Sequence, residues 1–228
     1  MVFISEAFCS PNHDARPDRQ EVDLLVLHYT GMTSSQAARN RLCDPAAKVS
    51  AHYLIDEAGA CFRLVPEHRR AWHAGLSCWD GQHNVNGRSL GVEIANPGHA
   101  FGYRHFTEPQ MRAVIELCQV LRCRHPIAPR RVVGHSDVAP LRKEDPGELF
   151  DWPRLAAAGL ARAIPHAEAL ASLPDDRQVR AQLKAIGYGY GEEDLPAVLR
   201  AFQRRWRPGA VTGALDLETA GLLAALAR

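Results

Sequence analysis

The stretch Val22-Asp-Leu-Leu-Val-Leu-His-Tyr29 is a nearly continuous apolar run that ends in polar residues. Unbroken apolar runs of this length are typical of strands buried on both faces, as in the sheets of α/β proteins. His28 stands near the carboxyl end of this predicted strand. Because functional groups gather at the carboxyl ends of strands in such folds, His28 is the first candidate for chemistry.

Helix and strand patterns alternate along the chain after this run. Thr107-Glu-Pro-Gln110 combines a helix cap, an early proline and a glutamine at the third helical position, and apolar residues from Met111 to Leu121 follow helical spacing. The sequence also predicts a helix over 34–43, a hairpin formed by 52–55 and 61–65, and strands over 89–95 and 131–135. The alternation predicts one α/β domain over residues 1–165.

The pattern changes after Pro165, where the chain becomes rich in alanine and leucine. Three helices are predicted over 179–186, 193–206 and 215–227, with turn-rich sequence between the second and the third. Residues 172–228 are therefore predicted to form a small all-α domain of three helices. The alternative is a helical extension packed onto the first domain, because so short a module is marginal for folding alone.

Composition and charge exclude several classes of protein. Lys and Arg total 27 and Asp and Glu total 26, so the net charge of +1 argues against nucleic acid or an anionic membrane as the main partner. No apolar run approaches the roughly 18 residues that span a bilayer. The first ten residues show no basic region, and we predict no signal peptide. The chain then either stays in the cytoplasm or lacks the segment that exports it.

The segment richest in potential chemistry is Val133-Gly-His-Ser-Asp-Val-Ala-Pro-Leu-Arg-Lys-Glu-Asp-Pro-Gly147. It places His135 at a strand end and Lys143 and Asp145 in a proline-bounded loop. Together with His28, these residues supply two imidazoles and a carboxylate, three corners of a tetrahedral zinc site whose fourth corner is open to water. Zinc fits better than copper or iron because the ligands are borderline and no redox chemistry is indicated.

Each of these candidate ligands has an alternative interpretation. A single histidine at a strand end is more often a hydrogen-bonded structural residue than a metal ligand. Asp137 could replace Asp145 as the carboxylate ligand, or could cap the loop. His68 and His73 form a competing pair of histidines, which we interpret as structural residues or as part of a substrate cleft.

Five motifs, in order along residues 20–155, resemble one known family. They are His28-Tyr-Thr, Ser50-Ala-His-Tyr-Leu-Ile, Arg70-Ala-Trp-His-Ala-Gly-Leu-Ser, Ser89-Leu-Gly-Val-Glu-Ile and the segment from Gly134 to Gly147 quoted above. Together they are similar to the type-2 N-acetylmuramoyl-L-alanine amidases, which share a fold with the peptidoglycan-recognition proteins. The resemblance implies a mixed central β-sheet flanked by helices, with a zinc ion in a groove on one face.

The same resemblance implies roles for individual residues. It implies that Zn²⁺ is held by His28, His135 and Asp145, which leaves Asp137 as a supporting or structural residue. Glu93 corresponds to the catalytic acid and Lys143 to the catalytic basic residue. The implied reaction is zinc-dependent hydrolysis of the amide bond between N-acetylmuramic acid and L-alanine in peptidoglycan or muropeptides.

Further residues are expected to line the implied groove and bind substrate. These are His52, Trp72 and His73, with Trp72 offering a flat face to a sugar or a peptide. The opposite interpretation places Trp72 in the core and makes the histidines fasten loops. Asn84 stands where some relatives are expected to carry an arginine, which leaves the choice between anhydro-muropeptides and intact wall open.

The tail carries a second resemblance. Ala201-Phe-Gln-Arg-Arg205 and Thr212-Gly-Ala-Leu-Asp-Leu-Glu-Thr219 are similar to a three-helix peptidoglycan-binding module. A wall-binding tail indicates the cell envelope or periplasm, whereas the missing signal peptide indicates cytoplasmic recycling of wall fragments. Two other functions stay open, a non-catalytic peptidoglycan-recognition protein and a zinc peptidase acting on stem peptides.

Overall fold

The computed structural model describes residues 3–228. Met1 and Val2 lie outside the described residues, and they are the first two of the ten residues in which no signal peptide is predicted. The strands are β1 (Ile4–Ser5), β2 (His13–Ala15), β3 (Leu24–Tyr29), β4 (Tyr53–Ile55), β5 (Cys61–Arg63), β6 (Arg69–Ala71), β7 (Ser89–Ile94) and β8 (Val132–Gly134). The α-helices are α1 (Ser35–Cys43), α2 (Val85–Arg88), α3 (Glu108–Arg124), α4 (His135–Val138), α5 (Trp152–Ala157), α6 (Asp176–Ile186), α7 (Leu195–Trp206) and α8 (Leu217–Leu226).

A six-stranded sheet in the order β1-β5-β4-β7-β3-β8 forms the centre of the fold, and β2 pairs with β6 in a separate antiparallel ribbon. β4 and β5 form the predicted hairpin and run antiparallel, whereas the other neighbouring strands of the large sheet run parallel. The predicted mixed sheet and α/β fold class are confirmed. β3 lies between β7 and β8, so the carboxyl ends of three parallel strands meet at one edge.

Both faces of the central strand β3 are covered by helices. Leu25 and Leu27 belong to a hydrophobic cluster that also contains residues of α3 and α5. Leu24 and Val26 belong to a second cluster, which they share with α6, α7 and α8. Burial on both faces explains why the sequence of β3 is apolar without alternation.

Local sequence sets the starts of the predicted helices. The Thr107 hydroxyl accepts from the Gln110 amide while the Gln110 side chain accepts from the Thr107 amide, which completes a capping box at the start of α3. Ser34 caps α1 by accepting from the backbone of Ala37. The predicted helices over these two segments are therefore confirmed, and α3 packs its apolar face on the sheet.

The three helices predicted for the tail are present as α6, α7 and α8. Val179, Phe202 and Leu223 are fully buried in the same cluster as Leu24 and Val133 of the sheet. The tail therefore covers the second face of the sheet and shares its core. None of the helices within residues 3–228 has the length and hydropathy to cross a membrane.

Candidate metal centre and groove

The carboxyl ends of β3 and β8 bring two histidines together. Gly134 pairs with Leu27 across the strands, and His135 and His28 each follow by one residue. The Nδ1 atoms of the two rings are 2.9 Å apart. Oδ2 of Asp145 lies 3.1 Å from Nδ1 of His28 and 3.0 Å from Nδ1 of His135. All three side chains are buried, so three separate parts of the chain converge on one point.

A chain of hydrogen bonds fixes the His28 ring. The Ser89 hydroxyl donates to the Val85 carbonyl over 2.7 Å, so its oxygen accepts from Nε2–H of His73, 3.0 Å away. Nδ1 of His73 then accepts from Nε2–H of His28, also over 3.0 Å. The proton of the neutral His28 ring is thereby placed on Nε2, and its Nδ1 lone pair faces the other two side chains of the cluster.

His135 is oriented in the same way by a backbone group. Its Nε2–H donates to the Ala74 carbonyl over 3.2 Å, so its Nδ1 also presents a lone pair to the cluster. Two imidazole nitrogens and one carboxylate oxygen therefore face each other as acceptors. A cation at their centre satisfies all three lone pairs. The donor set matches a catalytic zinc site, where tetrahedral donors lie about 3.3 Å apart.

The electrostatics of the cluster favour metal binding. Burial, reinforced by His135, lowers the pKa of His28 to about 4, which keeps this ring neutral at pH 7. Burial alone would raise the pKa of Asp145, but His135 and His28 hold it below its ordinary value, so the carboxylate is ionised. A neutral imidazole and an ionised carboxylate are the forms that bind a metal ion.

Glu93 lies beside this cluster on β7. The strand register pairs it with His28, so both side chains project from the same face of the sheet. Oε2 of Glu93 is buried and has no hydrogen-bond partner within residues 3–228. Burial, together with Asp145, raises the pKa of Glu93 well above its ordinary value, while Lys143 lowers it. A basic carboxylate without a partner is suited to taking a proton from a bound water molecule.

A groove of about 400 Å³ runs over the cluster. The residues that line it include Trp72, His73, Glu93, His135, Lys143 and Asp145. Lys143 is half-buried, and its charge acts on both His28 and Glu93. The five side chains predicted for metal binding and catalysis are thus placed together at one site.

Two of the residues predicted to bind substrate lie at the groove. Trp72 is half-buried and lines the wall, so part of its ring is available to a ligand. His73 also lines the groove, but both of its ring nitrogens are engaged, one with Ser89 and the other with His28. Its position indicates that it orients the His28 ring.

His52 lies outside the groove lining. It is fully buried, the Gly91 amide donates to its Nδ1 over 2.9 Å, and its Nε2–H donates to the Arg69 carbonyl over 3.1 Å. Burial, together with the Arg16 guanidinium, lowers the pKa of His52 to about 3. The neutral ring fastens the chain before β4 to β7, and a substrate contact by His52 finds no support in this position.

Asp137, the alternative carboxylate ligand, is engaged elsewhere. Its Oδ2 accepts from the Gly134 amide and the Arg205 guanidinium, and its Oδ1 accepts from the Tyr188 hydroxyl. Sequence reasoning missed Tyr188 and Arg205. The available signal was a pair of consecutive arginines, Arg204 and Arg205, near the end of the helix predicted over 193–206.

Two other residues that the sequence analysis considered, Asn84 and His68, lie outside the groove lining. Asn84 caps α2 by accepting from the Gly87 amide. His68 lines a separate hollow that also contains Arg16 and His125. His68 therefore lies away from the groove, whereas His73, the other member of the competing pair, lines it.

Comparison with known proteins assigns the site to a family. Residues 18–148 match the family described as N-acetylmuramoyl-L-alanine amidase. The chain belongs to the N-acetylmuramoyl-L-alanine amidase family. The matched region contains the three residues that could hold a metal ion, together with Glu93 and Lys143. The predicted family and enzyme class are confirmed.

Curated relatives of this amidase agree with the assignment. The N-acetylmuramoyl-L-alanine amidase AmiD of Escherichia coli (strain K12) is 36% identical over 236 residues, which cover 90% of this chain and 82% of AmiD. The 1,6-anhydro-N-acetylmuramyl-L-alanine amidase AmpD of Haemophilus influenzae is 34% identical over 163 residues, which cover 64% of this chain and 86% of AmpD.

Solved structures of amidases extend the similarity to the whole fold. A complex of E. coli AmiD with the substrate anhydro-N-acetylmuramic acid-L-Ala-D-gamma-Glu-L-Lys has a TM-score of 0.81 and 32% identity, covering 97% of this chain and 91% of that one. AmpDh3 of Pseudomonas aeruginosa in complex with an anhydromuramic pentapeptide has a TM-score of 0.80 and 31% identity, covering 96% and 97%. The amidase fold of this chain thus includes its C-terminal helices.

Proposed function

We propose that this amidase hydrolyses the amide bond between N-acetylmuramic acid and L-alanine in muropeptides, with a zinc ion held by His28, His135 and Asp145. The observation that carries the proposal is the convergence of three metal-binding atoms beside the unpartnered carboxylate of Glu93. The names of AmiD and AmpD support the choice of the bond that is cleaved, and the two solved complexes support the class of substrate.

A zinc ion held there would lower the pKa of a bound water molecule to about 7 and would polarise the scissile carbonyl. Asp145 contributes one negative charge and the two imidazoles are neutral, so the loaded site keeps a net positive charge. The open side of the cluster faces the groove, through which the substrate and a water molecule reach it.

Glu93 moves the proton. Its Oε2 takes a proton from the attacking water and later delivers it to the nitrogen of the departing amine, which an amide needs because its nitrogen leaves poorly without protonation. The absence of a hydrogen-bond partner for this atom within residues 3–228 leaves it free for the transfer. The pairing of Glu93 with His28 in the strand register supports this role.

Lys143 stabilises the charge that develops on the substrate. As the scissile carbonyl becomes tetrahedral, its oxygen becomes negative, and a cationic group already in place costs no reorganisation at that moment. Lys143 is half-buried at the groove, which strengthens its electrostatic effect relative to a fully solvated lysine.

Trp72 supplies an apolar face for the ligand in the groove. Sugars and short peptides stack on indole rings, and the half-buried Trp72 side chain lies in the groove wall. We assign His73 the role of orienting His28, and we leave His52 out of the substrate-binding set because its ring is enclosed.

Product identity is the experiment that tests the proposed function. The purified chain is incubated with an anhydro-muropeptide and, separately, with insoluble wall, each with and without a chelator, and the products are analysed by mass spectrometry. We expect an intact stem peptide and a sugar with a free lactyl acid, in the samples without chelator only. Cleavage inside the stem peptide would identify a peptidase, and binding without cleavage would identify a recognition protein.

Wall binding by residues 172–228 is a separate proposal that rests on their resemblance to a peptidoglycan-binding module. Sedimentation of the full chain with insoluble wall tests it, using a Glu93→Gln variant so that the wall stays uncut. We expect the chain in the pellet. Recovery in the supernatant alone would contradict the proposal without affecting the proposed reaction.

A further inference from the structure

Three of the five site residues lie in one segment, residues 134–148, which begins at the last residue of β8. Helix α7, one of the three C-terminal helices, presents two consecutive arginines to this segment, Arg204 and Arg205, and both are buried. Consecutive positions on an α-helix point about 100° apart, so the two guanidinium groups reach different parts of the segment.

Arg205 and Tyr188 hold the beginning of the segment. Nη1 of Arg205 donates to Oδ2 of Asp137 over 2.8 Å, and the Tyr188 hydroxyl donates to Oδ1 over 2.6 Å. Oδ2 of Asp137 also accepts from the Gly134 amide over 2.7 Å. Because Asp137 is two residues from His135, these contacts fix the turn that presents a metal ligand.

Arg204 holds the end of the segment. Its Nη2 lies 3.3 Å from Oε1 of Glu144, and its Nε lies 3.3 Å from Oε2 of Glu148. Glu144 stands between Lys143 and Asp145 in the chain. The C-terminal helices therefore contact the segment both before and after Lys143, at Asp137 and at Glu148.

A contribution to the stability of the fold does not by itself account for these buried arginines. Nε of Arg205 is buried and has no hydrogen-bond partner in the described part of the chain. A buried ion pair often stabilises a protein no more than apolar side chains of the same volume. Apolar side chains in place of the whole pair, Arg205 and Asp137, would suit the surrounding apolar cluster. The arginines therefore indicate a role in geometry.

We propose that the three C-terminal helices are a positioning element of the amidase site, in which Tyr188, Arg204 and Arg205 hold residues 134–148 in the arrangement that metal binding and Lys143 require. This inference rests on the proposed function, because it concerns the same site. It also distinguishes the chain from shorter relatives, since the family match ends at residue 148 and AmpD covers 64% of the chain.

Variants of the full chain test the positioning role. Arg205→Met removes the ion pair with Asp137, and Arg204→Met removes the ion pairs with Glu144 and Glu148. Arg205→Lys keeps the positive charge. Arg200→Met is the matched control, since Arg200 is exposed on the same helix. For each variant we measure zinc affinity by competition with a chelator, kcat and KM on an anhydro-muropeptide, and hydrogen exchange in 134–148 compared with α3.

The expected results separate positioning from stability. Arg205→Met weakens zinc affinity about tenfold, at the low end for residues that support metal ligands. Arg204→Met lowers kcat about tenfold with little change in KM, because Lys143 is displaced. In both variants hydrogen exchange rises in 134–148 and stays unchanged in α3. Arg205→Lys recovers part of the zinc affinity, and Arg200→Met behaves as the parent chain.

Two outcomes would overturn the inference. One is unchanged zinc affinity and kcat in both methionine variants, and the other is an equal rise of exchange in α3 and in 134–148. Tyr188→Phe decides the matter where the arginine variants do not fold, because it removes one hydroxyl and keeps the ring against Trp79 and Phe202. It is expected to weaken zinc affinity, and unchanged affinity counts against the inference. Failure of the proposed function itself is distinct, since the parent chain would then fail to bind zinc or fail to cleave the amide.

Discussion

The two halves of the site are held in different ways. His28 and Glu93 form a strand half, since they project from neighbouring parallel strands whose hydrogen-bond ladder sets their separation. His135, Lys143 and Asp145 form a loop half, which lies in a segment held by side chains of the C-terminal helices. The strand half is supported by the backbone ladder and by neutral hydrogen bonds, whereas the loop half has, besides the backbone contact of His135, ion pairs from two buried arginines, Arg204 and Arg205.

This difference shows where the precision of each half comes from. A parallel ladder is rigid without help from side chains, so the strand half needs only the ring of His28 to be oriented. A loop has no ladder, so its functional side chains depend on contacts from other elements. The side chains that hold the loop half are therefore expected to affect the site from outside it, whereas the strand half depends on an outside side chain only for the orientation of His28.

The largest expected effect is loss of either histidine ligand, one from each half. His28→Ala and His135→Ala should both lack stoichiometric zinc and show no measurable turnover, because two ligands hold the ion too weakly for a catalytic site. Metal analysis and amide cleavage are measured together, with circular dichroism as the control for folding. Full activity in a metal-free variant would refute the ligand assignment.

Glu93→Gln tests the strand half without touching the metal. The amide is nearly the same size as the carboxylate but takes no proton from water, so kcat should fall about 10²–10⁴-fold while one zinc ion per chain is retained. Steady-state kinetics and metal analysis of the same sample check this. A near-normal rate would remove Glu93 as the group that moves the proton.

Lys143→Met tests the charge in the loop half. Loss of a group that stabilises an oxyanion typically costs about 10²–10³ in kcat, with KM nearly unchanged. Lys143→Arg should recover part of this loss, and Lys184→Met, at an exposed position on α6, is the control for loss of a lysine. Equal rates for the two methionine variants would contradict the role of Lys143.

Ser89→Ala tests the orientation of His28 and has the smallest expected effect. The change removes the acceptor for Nε2–H of His73, so the His73 and His28 rings are less firmly oriented, and zinc affinity should fall about tenfold. Chelator competition measures the affinity. Ser10→Ala is the matched control, since Ser10 is also fully buried and donates to a backbone carbonyl. The same affinity in both serine variants would show that the chain of hydrogen bonds is dispensable.

Sequence predicted the strand half and the loop half because their signals are local. The apolar run of β3 and the segment after β8 each carry a functional side chain at a strand end, and the order of five motifs implied their convergence. The helices, too, were predictable from caps and spacing, as Thr107 and Gln110 show for α3.

The remaining features depend on contacts between distant residues, which a single sequence does not record. His52 and His73 were both expected to bind substrate, yet the two rings differ in which partners surround them in the fold. The packing of α7 on the sheet was equally hidden, because an amphipathic helix can bury its apolar face in its own module or on a neighbour. The contact between Arg205 and Asp137 follows from that packing.

Zinc titration of the metal-free chain tests the central claim most directly. Metal is removed with a chelator, zinc is added back in substoichiometric steps, and cleavage of an anhydro-muropeptide is measured at each step for the parent chain and for Asp145→Asn. We predict that activity rises linearly and reaches its plateau at one zinc ion per chain in the parent, with no such plateau in the variant. Full activity of the parent before any zinc is added would contradict the account.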